Sequence, residues 1–231
     1  ALAVLADPVY RSDDERVTGQ ATAALPNVAQ RNLRDLDLRS IQPLPYTRVE
    51  AEQILEIAAD LKHTAAFDFE ADHDWLTNPN LNEYSILHLA THGFINPVNP
   101  QLSGMVLSLV NPQGQLREDG FLRLHDIFNL QLSAELVVLS ACQTGRGENI
   151  SGEGIVGLSR GFMYAGAERV AVSLWNVDDE GTARLMTAFY KAMLDEGLSP
   201  AAAMRAAQRQ QWEAGYIPNL WAAFTLQGEW Q

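Results

Sequence analysis

Short apolar runs recur along the chain, and most are separated by amphipathic stretches of helical period. Ala1 to Ala6 reads as a buried strand stopped by Asp7-Pro8. Arg11 to Gln42 is polar and nearly patternless, a loop with room for one short helix. Thr47-Arg48-Val49-Glu50 has the spacing of a capping box, and Ile54, Ile57, Ala58 and Leu61 follow at helical spacing, so a helix is predicted over 48–61. Thr64 to Phe69 alternates as a weak second strand, and 74–81 suits a short helix. Ile86 to Ala90 is the next strand. Met105 to Val110 and Gly120 to Leu124 flank Asn111-Pro112-Gln113-Gly114, a hairpin signal. A short helix over 126–130 follows.

Leu136 to Ser140 is apolar on both faces, as the centre of a parallel sheet requires. A glycine-rich polar loop comes next, then a helix over 155–164 closed by Gly166. A strand is predicted over 169–174, helices over 182–194 and 200–212, and a last strand over 222–226. Ser199 and Pro200 suit the N-cap and first turn of the second of these helices. This alternation predicts an α/β domain: a mostly parallel central sheet with helices on both faces.

Composition narrows the function. The 231 residues contain 29 Asp plus Glu against 16 Lys plus Arg, a formal charge of −13. With no dense basic run, this field disfavours nucleic acid and anionic membranes as direct partners. No run approaches the ~18 apolar residues of a membrane span. The lone cysteine makes no internal disulfide and fits a reducing, cytoplasmic compartment. The chain opens directly in a strand without Met, so it is expected to be one domain, residues 1–231, cut from a longer protein.

Ligands of open parallel sheets bind beyond the carboxyl ends of the strands. The residues expected there are Asp7, His92, Cys142, Trp175, Asp178 and Asp179. A thiol needs a neighbouring base to supply thiolate, and histidine is the usual one. Cys142 follows His92 by 50 residues, near the caspase spacing of about 50, although Ser140-Ala141-Cys142-Gln143-Thr144-Gly145 departs from the caspase signature. The backbone amides of Gly93 and Cys142 are candidate oxyanion donors.

Four blocks in order carry more than spacing. They are His88-Leu89-Ala90-Thr91-His92-Gly93, Leu139-Ser140-Ala141-Cys142-Gln143-Thr144-Gly145, Ser173-Leu174-Trp175-Asn176-Val177-Asp178-Asp179 and Trp221-Ala222-Ala223-Phe224. Together they resemble the CHAT domain, a relative of caspases and separases that usually follows tetratricopeptide repeats. The resemblance implies a caspase-like sandwich fold and a cysteine endopeptidase with His92 and Cys142 as its dyad. It also implies no cofactor, a protein or peptide substrate, a regulatory repeat domain as partner, and a bacterial, cytoplasmic setting. A catalytically silent interaction module of the same fold is the alternative.

Substrate selection falls to positions where caspases and this chain differ. Ser140 stands where caspases carry a pocket-lining Gln. Asp7 stands at the strand end where they carry the Arg that selects acidic side chains. An acidic floor at Asp7 favours a basic P1 residue, the side chain preceding the scissile bond. Trp175 is a candidate groove wall and Asp178 a second charge selector.

Other features read as structural. His88 sits mid-strand and is expected to be a satisfied core residue. His63, Asp72, His73 and Asp74 match no metal-ligand spacing. Asp178 and Asp179 also suit the start of a helix. Gly152-Glu153-Gly154-Ile155-Val156-Gly157 has GxGxxG form, yet about ten residues separate it from the preceding strand, so a nucleotide fingerprint is disfavoured. Its small residues are expected to let the helix pack closely on the sheet. The loop 143–151 is expected to be a mobile lid ordered by substrate.

Overall fold

The computed structural model describes residues 1–19, 41–94, 100–140 and 153–229. Six strands form the central sheet: β1 (Leu2–Pro8), β2 (His63–Asp68), β3 (Ile86–Ala90), β7 (Leu136–Leu139), β8 (Arg169–Ser173) and β9 (Phe224–Gly228). Their order is β2-β1-β3-β7-β8-β9. All neighbours are parallel except β8 and β9, which are antiparallel. A second sheet of β4 (Gly93–Phe94), β5 (Gly104–Val106) and β6 (Phe121–Arg123) is antiparallel. The hairpin expected around Asn111–Gly114 lies in the connection from β5 to β6, closed by an isolated bridge between Val110 and Leu116.

The helices are α1 (Pro45–Ile57), α2 (His73–Leu76), α3 (Leu124–Asn129), α4 (Glu153–Tyr164), α5 (Asp179–Tyr190) and α6 (Pro200–Glu213). Strand alternation divides two cores. Leu2, Val4 and Ala6 of β1 face α1, α5 and α6, with Ile54, Leu185, Phe189 and Met204 across from them. Ala3 and Leu5 face the other way, onto Leu76, Ile127 and Phe162. Both faces being covered accounts for the continuous apolar runs of β1, β3, β7 and β8. Each fully buried Leu, Ile or Phe contributes roughly 1.5–3 kcal/mol, so these layers hold the strand tips rigidly.

Three local expectations are corrected. Helix α1 begins at Pro45, so Thr47 lies inside it and forms no capping box. The Glu50 side chain is fully buried and turned onto the sheet, because burial against a histidine there outweighs a surface cap. The stretch 74–81 is split between α2, capped by Asp72, and a 3-10 turn over Pro79–Glu83. As expected, Ser199 occupies the N-cap position of α6 and Pro200 its first turn; the Ser199 hydroxyl makes no capping bond. The GxGxxG segment lies largely in α4, but a side chain at Gly157 would meet nothing within 4 Å. Close approach occurs instead at Gly161, where an added Cβ would lie 3.1 Å from Ile127 and Leu124 of α3. Gly152 and the expected lid, 143–151, lie outside the described residues.

Candidate active site

Strand β3 delivers Thr91 and His92 to the carboxyl edge of the sheet. The His92 carbonyl accepts from Val106 N–H at 2.8 Å, and Gly93 then pairs with Met105. The second sheet thus pins the histidine from its C-terminal side. Thr91 Oγ1 gives its proton to the Val106 carbonyl and so accepts from the Tyr10 hydroxyl at 2.8 Å. The Tyr10 ring lies 5.1 Å from the His92 ring. Burial pushes the Tyr10 hydroxyl far above its ordinary range, so it stays a proton donor.

The His92 ring is 4% exposed. Its Nε2 lies 2.7 Å from the Gln42 carbonyl oxygen. A carbonyl only accepts, so Nε2 carries the proton and the neutral ring's lone pair is on Nδ1. Among the described residues Nδ1 has no partner. Burial lowers the His92 pKa, and the Gln42 carbonyl opposes that shift. The ring is therefore neutral at pH 7, with one nitrogen held and the other unengaged by any described residue. That is the configuration of a general base before reaction.

Gln42 was not legible as a site residue, because what it contributes is a backbone oxygen. A trace of it exists: Pro43 biases Gln42 towards extended backbone, which keeps its carbonyl out of the helix that starts at Pro45. Ile41, buried with Tyr10, Val106 and Leu109, anchors the segment.

Asp7 ends β1 in a left-handed conformation, φ 52°, beside Asp68 at the end of β2, φ 53°. Its N–H donates to Thr47 Oγ1 at 3.2 Å, and that hydroxyl donates to the Leu44 carbonyl. The carboxylate does not stand alone. Arg16 Nη1 lies 2.9 Å from Asp7 Oδ2 and 2.7 Å from Asp68 Oδ1, with Asp14 on its Nε. Arg48 approaches Asp7 at 4.0 Å and Asp68 at 3.2 Å. Burial raises the Asp7 pKa, while the Arg16 guanidinium works against that rise.

Ser140 follows β7, with its N–H on the Leu89 carbonyl and its Oγ buried and unpartnered among the described residues. Trp175 is half-buried against the core, and its indole N–H donates to the Asn219 carbonyl at 3.1 Å. Asp178 caps α5 by accepting from Gly181 N–H at 2.9 Å. Asp179 crosses to another helix and accepts Tyr46 N–H at 2.9 Å. Cys142, with the amide assigned to the oxyanion, lies outside the described residues. Among the described residues, no three His, Cys, Asp or Glu side chains group as metal ligands. No described helix is long and apolar enough to cross a membrane.

A mostly parallel six-stranded sheet, a neighbouring antiparallel hairpin sheet and a carbonyl-held histidine at a central strand tip define a caspase-like α/β domain. The family model of the CHAT domain matches residues 3–229, and the chain belongs to that family. It is also 39% identical over 105 residues to tetratricopeptide repeat protein 28 of Mus musculus, and 37% identical over 105 residues to its Homo sapiens counterpart. Each match covers 45% of this chain but only 4% of the relative. The family is of caspase-like cysteine peptidase type; the relatives' name records their repeats and no proteolytic activity.

Proposed function

We propose that the chain is a cysteine endopeptidase that cleaves a protein substrate with Cys142 as nucleophile and His92 as base and acid. The observation that carries this reading is the tautomer of His92: Nε2–H held by the Gln42 carbonyl, and Nδ1, the basic nitrogen, without a partner among the described residues. Nδ1 takes the Sγ proton as sulfur attacks the scissile carbonyl carbon. The carbonyl electron pair moves to oxygen, where the amides of Gly93 and Cys142 receive it. Collapse breaks the C–N bond, and Nδ1–H protonates the leaving amine. Water then attacks the thioester, gives a proton to Nδ1, and the thiol re-forms.

Asp7 is assigned to the basic P1 side chain, with Trp175 along the groove and Ser140 beside the nucleophile. Four carboxylates (Asp7, Asp14, Asp68 and, on Arg48, Glu52) face two guanidiniums (Arg16, Arg48), so the cluster keeps a net negative charge for a substrate cation. Asp178 serves α5 as its cap, and its role as a second charge selector is secondary. A tetratricopeptide-repeat partner domain is the proposed regulator.

Labelling with an arginyl acyloxymethyl ketone tests the reading. The full chain, with its repeat domain supplied, should gain one adduct at Cys142, and Cys142→Ala should gain none. Equal labelling of both, or of neither, would leave a caspase-fold interaction module. Asp7→Asn should lower labelling by arginyl probes by roughly tenfold or more while sparing neutral ones, the usual scale for a partly desolvated charge pair.

A further inference from the structure

Helix α1 starts with an unusual lack of local support. Its N-cap is Leu44, which offers no side-chain acceptor, and Pro45 stands at the first helical position. First-turn N–H groups have no partner within the helix and must find one elsewhere. Tyr46 N–H finds it in Asp179 Oδ2, 133 residues further along the chain and 2.9 Å away. Asp179 opens α5, directly after the Trp175–Asp178 segment that leaves β8.

The same helix start leads straight back to the base. Gln42, four residues before Tyr46, holds His92 Nε2 at 2.7 Å. Between them lie Pro43 and Pro45, whose fixed φ angles stiffen the span. Further down the helix, Glu50 contacts His88 Nε2 at 2.8 Å inside the sheet–helix layer, and Thr47 meets the Asp7 N–H. The helix body is therefore fixed to the sheet, and its first turn is held by α5. We propose that Asp179 is a positioning residue for His92: by capping α1 across the helix layer, it sets the Gln42 carbonyl that fixes the imidazole's tautomer.

Asp179 sits there at a cost. Burial pushes its pKa up to about 6, with Glu50, Asp178 and Asp7 adding repulsion and the Tyr46 N–H opposing. No cation pairs with it among the described residues. The tie to α5 also couples the groove wall that ends in Trp175 to the base.

The inference rests on His92 being the base of the proposed peptidase, but its test does not need activity. Histidine labelled with nitrogen-15 in the full chain reports the His92 tautomer and the exchange rate of Nε2–H. Asp179→Ala should speed that exchange by about tenfold, the scale of one lost hydrogen bond, and mix the two tautomers. Asp179→Asn keeps an acceptor oxygen and should stay within about twofold of wild type. If the alanine variant does not fold, Asp179→Leu, of nearly the same shape and without an acceptor, replaces it. Unchanged exchange in the acceptor-free variant, or an asparagine variant as fast as it, would overturn the inference. A shifted tautomer with no Cys142 labelling in wild type would instead leave the inference standing and sink the peptidase reading.

Discussion

Two histidines four residues apart on the same chain segment have opposite surroundings. His88, in the middle of β3, is fully buried, with Nδ1 3.1 Å from the Tyr190 hydroxyl and Nε2 2.8 Å from Glu50 Oε1. Glu50 is equally buried, and the ring nitrogen is not aligned with it, so the contact is close without being a well-formed hydrogen bond. His92, beyond the strand tip, has one nitrogen held by a carbonyl and one with no described partner. The first has a polar group within contact distance of each ring nitrogen, from α5 on one side and α1 on the other. Among the described residues the second is held on one side only, the asymmetry that the proposed general base requires.

Substitutions can break this contrast. The largest expected effect is on activity: His92→Ala should lower Cys142 labelling by about 10^4-fold, the upper range for a general base, while leaving the chain folded. Equal loss of fold and activity would erase the distinction. Next, His88→Leu strands Glu50 as a buried, unpaired carboxylate and should cost about 3–5 kcal/mol in urea denaturation. The double variant His88→Leu with Glu50→Leu should recover most of that loss, since replacing both members removes the unpaired charge. Tyr190→Phe removes one hydrogen bond from the pair and should cost about 1 kcal/mol.

The smallest effects are those of pH. The raised folded-state pKa of Asp179, about 6 against 3.8, means that the folded state binds its proton more tightly than the unfolded chain does. Its burial therefore lowers stability above pH 6, and the penalty is relieved as pH falls from about 6 towards 4. Asp179→Asn should be more stable than wild type at pH 7.5 by about 1 kcal/mol, after allowance for partial solvent screening, and no more stable near pH 4. His92 acts with the opposite sign. Its pKa is depressed, so stability declines as pH falls through the ordinary histidine value, where the unfolded chain takes up the proton first, while labelling declines only at lower pH, where the folded ring itself is protonated.

The sheet was readable because β1, β3, β7 and β8 are buried on both faces and leave continuous apolar runs. The antiparallel direction of β9 was not, since a strand's sequence does not record its neighbour's polarity. Thr47-Arg48-Val49-Glu50 looked like a capping box because local spacing was the only information available. The real partner of Glu50 is 38 residues away on β3, and tertiary burial decided the matter. His92 was identifiable by its side chain and its motif. Gln42 was not, because any residue supplies a carbonyl, and only Pro43 hinted that this one is left free. Asp178 was foreseen as a helix cap and is one. Asp179 shares the motif but serves α1, a distinction that only the packing of α5 on α1 creates.

The matching backbone twists at Asp7 and Asp68 have a practical consequence for anyone engineering selectivity here. Both carboxylates sit on residues whose main chain turns in the sense that glycine favours and most side chains resist by about 1 kcal/mol. Glycine at either place would ease the bend while erasing the charge, and alanine would erase the charge while adding strain. Asparagine tolerates the same bend and keeps the same outline. It is the exchange that reports on charge alone, so any redesign of the proposed P1 site for acidic or neutral side chains should begin from it.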